Sequence, residues 1–277
     1  MTTTNIAILG CGYVGTALAR YWQKQADLTI TATTTTPEKI ANLEAITDRA
    51  LLLKGNQTEE LKTLLQGQNV VVVSVGTRGK ASYKETYLKT AQTLVSLLPQ
   101  FPSLKQIIYT GSYAIYGDRK GQWVDETSPP SPANPNGEIL VQTEQTLLNL
   151  ATNHCKVCTL RLGGIYGEGR ELAKIYAPAA GTTRPGTGEE ASNWIHLDDI
   201  VGAIEFVRQH QLQGIYNLVD DSHLTTGELL KKVLHKSDLA PVTWDSSQPS
   251  RRPYNAKVSN EKIKTAGYQF IRPEIIF

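Results

Sequence analysis

The sequence has few of the features that mark secreted, membrane-bound or disulfide-stabilised proteins. Its 277 residues include three cysteines, an odd number that cannot all pair, and a chain of this length does not need disulfides for stability. No apolar run approaches the roughly 18 residues of a membrane helix. The start of the chain, residues 1–5, lacks the basic stretch of a secretory signal. We therefore expect a cytoplasmic protein with no membrane partner.

The sequence also lacks an excess of charge of either sign. The 28 Lys and Arg against 26 Asp and Glu leave a formal net charge of +2, and no basic run is present. Nucleic-acid binding requires clustered positive charge, so nucleic acid is not expected as a partner. Apolar residues make up 40% and charged residues 19% of the chain, which is typical of a globular protein.

Short apolar runs rich in β-branched residues alternate with stretches of helical periodicity. The strand candidates are Ile6–Leu9, Leu28–Ala32, Leu51–Leu53, Val70–Val75, Gln106–Thr110 and Lys156–Leu162. The helix candidates are Gly15–Gln23, Glu38–Ile46, Thr58–Leu65, Tyr83–Leu98 and Glu138–Thr152. Continuously apolar strands indicate a sheet that is buried on both faces. The alternation predicts an α/β fold with a doubly wound parallel sheet of the Rossmann type.

A glycine-rich segment lies between the first strand candidate and the first helix candidate and reads Gly10-Cys11-Gly12-Tyr13-Val14-Gly15. In this context, the first glycine permits the tight turn, the second lets a pyrophosphate approach the backbone, and the third lets the helix pack closely on the strand. The start of the helix supplies N–H donors to the anion. The segment predicts a dinucleotide-binding loop that includes Tyr13 and Val14.

The position that distinguishes NAD from NADP lies about twenty residues further on. An NAD site typically places Asp or Glu there to bind the ribose 2′-hydroxyl, but this chain has Thr33, Thr34, Thr35 and Thr36. A carboxylate would repel a 2′-phosphate, so its absence favours NADP, with NAD as the alternative. Threonine is also a common residue at the end of a strand. Lys39 is a further candidate contact or an ordinary solvated lysine.

A series of motifs in the rest of the chain is similar to the extended short-chain dehydrogenase/reductases, the NAD-dependent epimerase/dehydratase group. The motifs follow the order found in that family and span nearly the whole chain. After the glycine-rich segment they are Ser112 to Gly117, Trp123 to Glu126, Leu160 to Gly167, Asn193 to Asp199 and Gly214 to Leu218. Because part of the catalytic set is absent, the chain most resembles the atypical branch of the family.

The resemblance implies where the catalytic residues should be. Ser112 occupies the position of the family's substrate-binding Ser or Thr. The family's Tyr-x-x-x-Lys pair falls on Asn136 and Leu140, neither of which can perform the proton exchange of a tyrosine whose pKa is lowered by a lysine. Tyr113 is the candidate replacement acid. The only Tyr-x-x-x-Lys sequence, from Tyr116 to Lys120, has an interior typical of a turn rather than a helix.

The resemblance also implies a division of the chain and a substrate site. Residues 1–164 and 192–220 are expected to form the NAD(P)-binding Rossmann domain, and residues 165–191 and 221–277 a small C-terminal substrate-capping region. The substrate site should include Asn136 and Gly164. Gly164 and Ser192 stand where relatives that bind nucleotide-sugars often have Asn and Arg. The two helix candidates Tyr83–Leu98 and Glu138–Thr152 resemble the family's dimer helices, which implies a homodimer.

Two further patterns have structural as well as functional interpretations. Cys155 and Cys158 have redox spacing, but they lead into a strand candidate, which would point their sulfurs to opposite faces. His196 with Asp198 and Asp199 suggests a metal, although these residues also fit a helix start at which Asp caps free N–H groups. We interpret both patterns as structural.

Two functional hypotheses follow. The first is an NAD(P)-dependent oxidoreductase or epimerase that acts on a small hydroxyl, carbonyl or sugar-like substrate without the usual Tyr-x-x-x-Lys pair. The second is a non-catalytic NADP(H)-binding sensor or scaffold. The glycine-rich segment suits both, whereas the absence of the pair favours the second.

Overall fold

The computed structural model describes residues 3–77, 82–152 and 154–277. Its strands are β1 (Thr4–Leu9), β2 (Leu28–Thr34), β3 (Arg49–Leu52), β4 (Val70–Val73), β5 (Gln106–Ser112), β6 (Asp118–Val124), β7 (Lys156–Leu162), β8 (Gly164–Tyr166), β9 (Thr183–Pro185), β10 (Trp194–His196), β11 (Gly214–Leu218), β12 (Thr243–Asp245) and β13 (Asn255–Val258). Its α-helices are α1 (Tyr13–Trp22), α2 (Ile40–Glu44), α3 (Thr58–Leu65), α4 (Thr90–Leu97), α5 (Pro135–Leu148), α6 (Leu172–Tyr176), α7 (Leu197–His210), α8 (Thr226–Lys236) and α9 (Glu261–Thr265).

The central sheet has seven strands in the order β11-β7-β5-β4-β1-β2-β3 within the described residues. Four of its pairings are parallel: β3 with β2, β2 with β1, β1 with β4, and β4 with β5. The chain builds outward from β1 in one direction through β2 and β3, then returns to the other side of β1 at β4. This reversal is the switch point of a doubly wound sheet, outside whose carboxyl ends ligands bind in such folds. The predicted α/β Rossmann fold class is confirmed.

The predicted elements of the sheet are present, with shifts at their ends that have local causes. Helix α5 starts at Pro135, three residues earlier than expected, because the Asn134 side chain accepts a hydrogen bond from the Gly137 N–H at 3.0 Å and proline suits the first helical turn. The predicted helix 83–98 is divided into a π-helical stretch, Lys84–Lys89, and α4. No α-helix in the described ranges is long and apolar enough to cross a bilayer.

The chain forms two compact units. Unit 1 comprises Met1–Gly111, Glu138–Leu160 and Val201–Ile215. Its core is a cluster of buried aliphatic side chains from the strands and from α3, α4 and α5, with Tyr109 among them. In α7 of this unit, the Glu205 carboxylate accepts hydrogen bonds from the Trp22 indole at 2.8 Å and from Arg208 at 2.7 Å. The buried Glu205 carboxylate thereby has both an indole N–H and a guanidinium as hydrogen-bond donors.

Unit 2 comprises Ser112–Gly137, Arg161–Ile200 and Tyr216–Phe277. Three two-stranded parallel pairings hold it together: β8 with β10, β9 with β12, and β6 with β13. Each pairing joins segments that lie far apart in the sequence. The division into units differs from the functional division expected from the sequence, because residues 112–137, 161–164, 192–200 and 216–220 belong to unit 2. The expected functional domains remain a prediction.

Candidate functional site

The glycine-rich loop of unit 1 has a different spatial requirement at each glycine. Gly10 has a φ of +99°, and a Cβ there would lie 2.7 Å from the Ser74 carbonyl oxygen. A Cβ on Gly15 would lie 2.5 Å from the Gly10 carbonyl oxygen, so α1 and β1 approach too closely for a side chain. A Cβ on Gly12 would meet no atom within 4 Å. The loop therefore has no room for a side chain at Gly10 or Gly15, whereas the space beside Gly12 is empty.

Thr33 at the end of β2 holds this loop in place. Its hydroxyl accepts a hydrogen bond from the Gly10 N–H at 2.9 Å and donates one to the Ile8 carbonyl at 3.2 Å. Its own carbonyl accepts from the Cys11 N–H at 2.7 Å. Thr33 is 1% exposed, so its hydroxyl serves the loop. That it also contacts a cofactor remains a prediction.

The other predicted cofactor residues lie around the loop with different exposures. Val14 is buried and Tyr13 half-buried at the first turn of α1. Thr34 is buried and its hydroxyl accepts from the Thr36 N–H at 3.2 Å, whereas Thr35 is exposed. Burial raises the pKa of the Cys11 thiol to about 12, and the Lys39 ammonium acts in the opposite direction. Lys39 is therefore close enough to add positive charge to the loop.

The predicted positions of the missing pair lie on α5. Asn136 is exposed and Leu140 is half-buried, one helical turn apart on one face. Neither side chain carries a proton that titrates near neutral pH. Ser112 precedes a 3₁₀ turn, Tyr113–Tyr116, and its Oγ accepts the Ala114 N–H at 3.2 Å. This capping bond occupies one acceptor site of the hydroxyl and leaves its proton free to donate.

Tyr113 has a cation beside its phenol in unit 2. The guanidinium of Arg252 donates from Nη2 to the Tyr113 hydroxyl at 3.3 Å and from Nη1 to the Thr226 hydroxyl at 2.8 Å. Its Nε donates to the Tyr254 carbonyl at 3.2 Å. The Tyr254 ring packs edgewise against Tyr113, with centroids 5.9 Å apart. Arg252 is thus held on three sides, and one of its donors points at the predicted acid.

Tyr116, by contrast, is a structural residue at the centre of unit 2. It is 0% exposed, and its hydroxyl accepts from Arg161 at 2.6 Å and donates to the Asn217 Oδ1 at 2.8 Å. Burial raises the pKa of the Tyr116 phenol, and Arg161 and Asn217 act against that rise. Lys120 lies on β6 with a φ of 53°, so the Tyr116 to Lys120 sequence is not a helical pair.

Gly164, a predicted substrate residue, lies against the indole of Trp194. A Cβ on Gly164 would approach ring atoms of Trp194 to 2.9 Å. The indole N–H donates to the Ser192 hydroxyl at 2.9 Å, which fixes the ring. Gly164 therefore leaves room for the ring of Trp194, and Ser192 orients that ring. These are the two positions where nucleotide-sugar enzymes often have Asn and Arg. The role of Gly164 in substrate binding remains a prediction.

The expected helix start is confirmed: α7 begins at Leu197, and Asp198 and Asp199 lie in its first turn, where their charge suits the helix dipole. The His196 Nδ1, rather than a carboxylate, accepts the Asp198 N–H at 3.1 Å. Asp199 accepts the N–H groups of Ile271 and Arg272 at 2.6 Å and 2.9 Å, so it holds the C-terminal segment. The sequence could not show this because the two segments are about seventy residues apart.

A second buried acid of unit 2, Asp220, is only partly compensated. Its Oδ1 accepts the Ser222 N–H at 2.9 Å, while its Oδ2 is buried without a partner in the described structure. Burial raises the pKa of Asp220 to about 7, and the nearby carboxylates of Asp221 and Asp199 add to the rise. Desolvation disfavours the charged form of an acid.

The cysteines are free thiols and all three are buried. Burial raises the pKa of Cys155 to about 11. A thiolate is the reactive form of cysteine, and at neutral pH Cys11 and Cys155 are held as thiols. The raised pKa of Cys155 and the burial of both Cys155 and Cys158 agree with a structural interpretation of their spacing.

Sequence reasoning missed several residues that the tertiary structure brings near Tyr113. Arg252 and Tyr254 lie in a segment of no regular structure, and Tyr176 ends α6. The signal available in the sequence was the adjacent pair Arg251-Arg252 before a proline, which by itself indicates only a charged turn. Its importance depends on a contact that spans 139 residues.

Sequence comparison places the chain among known proteins. The model of the NAD dependent epimerase/dehydratase family matches residues 6–218. Protein YeeZ of Escherichia coli (strain K12) is 32% identical over 258 residues, which cover 88% of this chain and 88% of YeeZ.

Solved structures with the same fold agree with this placement. A functionally unknown conserved protein from Silicibacter pomeroyi DSS has a TM-score of 0.78 at 23% identity, over 98% of this chain and 95% of that one. The UDP-glucose 4-epimerase of Thermus thermophilus, in complex with NAD, has a TM-score of 0.78 at 18% identity, over 99% and 95%. The likeness to these solved structures shows the fold of the chain. The family model matches most of the length of the chain. The chain belongs to the NAD dependent epimerase/dehydratase family.

Proposed function

We propose that this protein is an NADP-dependent oxidoreductase or epimerase that acts on a small hydroxyl or carbonyl compound. The observation that carries the enzyme assignment is the Arg252 guanidinium 3.3 Å from the Tyr113 hydroxyl. The cofactor assignment rests on the glycine loop, which has open space at Gly12 and close contacts at Gly10 and Gly15. A dinucleotide-binding loop needs this combination, because the pyrophosphate must reach the backbone at the middle glycine. Folds similar to this one have been solved with NAD bound.

The residues of unit 1 fit the dinucleotide. The N–H groups at the start of α1, at Tyr13 and Val14, would hold the pyrophosphate, and exposed Thr35 at the end of β2 would face the adenosine ribose. The absence of a carboxylate from Thr33 to Thr36 and the charge of Lys39 favour NADP over NAD. When bound, the nicotinamide supplies hydride exchange with the carbon of a hydroxyl or carbonyl group.

Within unit 2, Tyr113 and Ser112 would serve the reacting oxygen. Ser112 has a free proton to donate, and the Tyr113 hydroxyl can give or take the proton of the substrate's oxygen. The guanidinium of Arg252 stands beside the Tyr113 oxygen and would stabilise negative charge there, as the lysine does in a Tyr-x-x-x-Lys pair. The cation thus comes from a distant loop instead of the next helical turn.

A second candidate function is a non-catalytic NADP(H)-binding protein. The observation that favours it is the loss of both acid–base residues from α5, where Asn136 and Leu140 stand. The two candidates share the loop and differ in whether unit 2 performs chemistry.

The experiment that separates them follows hydride transfer without assuming a substrate. Purified protein would be incubated with a metabolite extract in two parallel series. One series contains NADPH carrying deuterium at C4 of the nicotinamide, with each of the two C4 isotopomers in turn, and the other contains NADP⁺ as the oxidant for a hydroxyl substrate or for an epimerisation that begins with oxidation, with NADPH formation followed by absorbance. Mass spectrometry would detect deuterated products, and chromatography would detect epimers of unchanged mass. We expect at least one product with the wild type, none with Gly12→Val, and at least tenfold less with Tyr113→Phe or Ser112→Ala. No product from a protein that binds NADPH would support the non-catalytic candidate.

A further inference from the structure

Unit 2 contains a cavity of about 410 Å³, within the range of small-ligand sites. It opens beside α6, α8 and the β9–β12 pairing. The residues that line it are Tyr176, Thr183, Arg184, Pro185, Glu190, Thr226, Trp244, Ser250, Arg251 and Arg252. Neither the family match nor the catalytic proposal assigns it a ligand.

Positive charge dominates the lining of this cavity. Three of its residues are arginines and one is a glutamate, so its formal charge is +2. Arg184 and Arg251 have no ion pair within 4.0 Å in the described part of the chain, Glu190 included. Guanidinium groups that share a concave, partly desolvated wall repel each other and attract an anion. The planar fork of arginine matches a carboxylate or a phosphate.

Two aromatic side chains of the lining are packed against neighbouring residues. The Trp244 indole lies so close to Gly188 that a Cβ there would approach it to 2.6 Å. Tyr176 packs edgewise on Trp194, with centroids 5.9 Å apart. Burial raises the pKa of the Tyr176 phenol, and the charges of Arg252 and Arg184 oppose that rise. The aromatic part of the wall is thereby fixed by packing, and the arginines supply the charge.

Arg252 connects this cavity to the predicted acid. It lines the cavity, and the same guanidinium donates to the Tyr113 hydroxyl at 3.3 Å. Its contacts with Thr226 and Tyr254 fix its position. Arg252 is therefore a positioning residue for Tyr113, while Arg184 and Arg251 have donors free for a ligand.

We propose that this cavity binds a small organic anion, through a carboxylate or a phosphate ester held by Arg184 and Arg251, and that the anion is the substrate. This inference names the substrate class and thus rests on the proposed function. The anionic group anchors the molecule at one end, which leaves its hydroxyl or carbonyl group for Tyr113. A nucleotide is not required by any contact in this cavity.

The test uses arginine-specific labelling of the wild-type protein by phenylglyoxal, with peptide mass spectrometry to measure the rate at each arginine. Inorganic phosphate and malonate are the probes for the two anion classes. We expect either or both to slow labelling of Arg184 and Arg251 at least fivefold with saturation. Arg49, an exposed arginine of unit 1, is the internal control and should keep its rate. Protection by one probe alone identifies the class of anion.

A second measurement uses thermal unfolding at increasing probe concentration. The probe concentration that gives half of the maximal rise in Tm should increase at least fivefold in Arg184→Gln and in Arg251→Gln. It should stay unchanged in Arg49→Gln. Equal protection at all three arginines, or no saturable effect of either probe, would overturn the anion site. Uridine diphosphate acting at a tenfold lower concentration than both probes would overturn the small-anion assignment.

The two tests do not depend on cofactor or turnover, so they separate this inference from the proposed function. Anion binding without any product in the deuterium experiment would refute catalysis and leave a binding cavity, and its role as the substrate site would fail. Product formation from a neutral compound, unaffected by Arg184→Gln and Arg251→Gln, would refute the substrate class and leave the enzyme.

Discussion

The glycine loop of unit 1 and the basic cavity of unit 2 are built in opposite ways. The loop consists of six consecutive residues whose function depends on backbone position and on missing side chains. The cavity depends on charged and aromatic side chains from positions 176 to 252, which only folding brings together. The comparison teaches that a site built from backbone can be recognised in a short stretch of sequence, whereas a site built from distant side chains cannot.

The largest expected effect tests the loop by itself. Gly12→Val should lower NADPH affinity at least 100-fold, because the branched side chain fills the open space, with an unchanged unfolding midpoint. Gly15→Val is the matched control: its Cβ would lie 2.5 Å from the Gly10 carbonyl oxygen, so it should destabilise the protein by about 3 kcal/mol. Titration calorimetry and urea unfolding measure the two effects. If Gly12→Val bound NADPH with wild-type affinity, the loop would be an ordinary turn and not a cofactor-binding loop.

The next effect is confined to unit 2 and depends on pH. The folded pKa of Asp220, about 7, lies above that of an unfolded aspartate, so the folded state keeps a proton that the unfolded chain loses. Stability should therefore fall as pH rises from about 4 to about 7, by on the order of 3 kcal/mol. Asp220→Asn should remove this loss.

Urea unfolding at pH 5 and pH 8 measures this difference. The wild type should lose more stability than Asp220→Asn between the two pH values. Parallel changes in the two proteins would show that Asp220 ionises in the folded state as it does in the unfolded one.

A smaller effect separates two tyrosines of unit 2. Tyr116→Phe should cost about 2 kcal/mol, because the buried Arg161 and Asn217 each lose a hydrogen-bond partner. Tyr113→Phe should cost about 1 kcal/mol or less, since its hydroxyl has one long bond to Arg252. For turnover we expect the opposite order: Tyr113→Phe should lower the turnover more than Tyr116→Phe, because Tyr113 is the proposed acid. Equal losses of stability would mean that Tyr113 is also a structural residue.

The smallest effect is cofactor preference, which sharpens the description of unit 1. NADPH should bind severalfold more tightly than NADH, a difference of about 1 kcal/mol, because no carboxylate stands between Thr33 and Thr36. Thr35→Asp should reverse the preference, and Lys39→Gln should reduce it. Tighter binding of NADH by the wild type would contradict the NADP assignment.

The sequence alone was sufficient for six of the seven strands of the sheet and for the turn of the glycine loop, whereas β11 was not among the strand candidates. Continuous apolar runs such as Val70–Val73 bury both faces of a strand, and the local order of strand, glycine turn and helix is independent of distant residues. Local packing also explains the start of α5, where Asn134 caps the helix. The sequence signals for these features come from residues that are neighbours in the chain, although the strands and the loop are held by residues further away.

Unit 2 was decided by tertiary structure. Most of its strands have only three or four residues, too few for a periodic pattern, and its strand pairings join segments far apart in the chain. From the resemblance we predicted that Asn136 and Leu140 replace the pair on α5 and that Tyr113 is the substitute acid, but the partner of Tyr113 became visible only when folding placed Arg252 beside it. A local pattern cannot specify such a contact, because it depends on the path that the chain takes between two residues 139 positions apart.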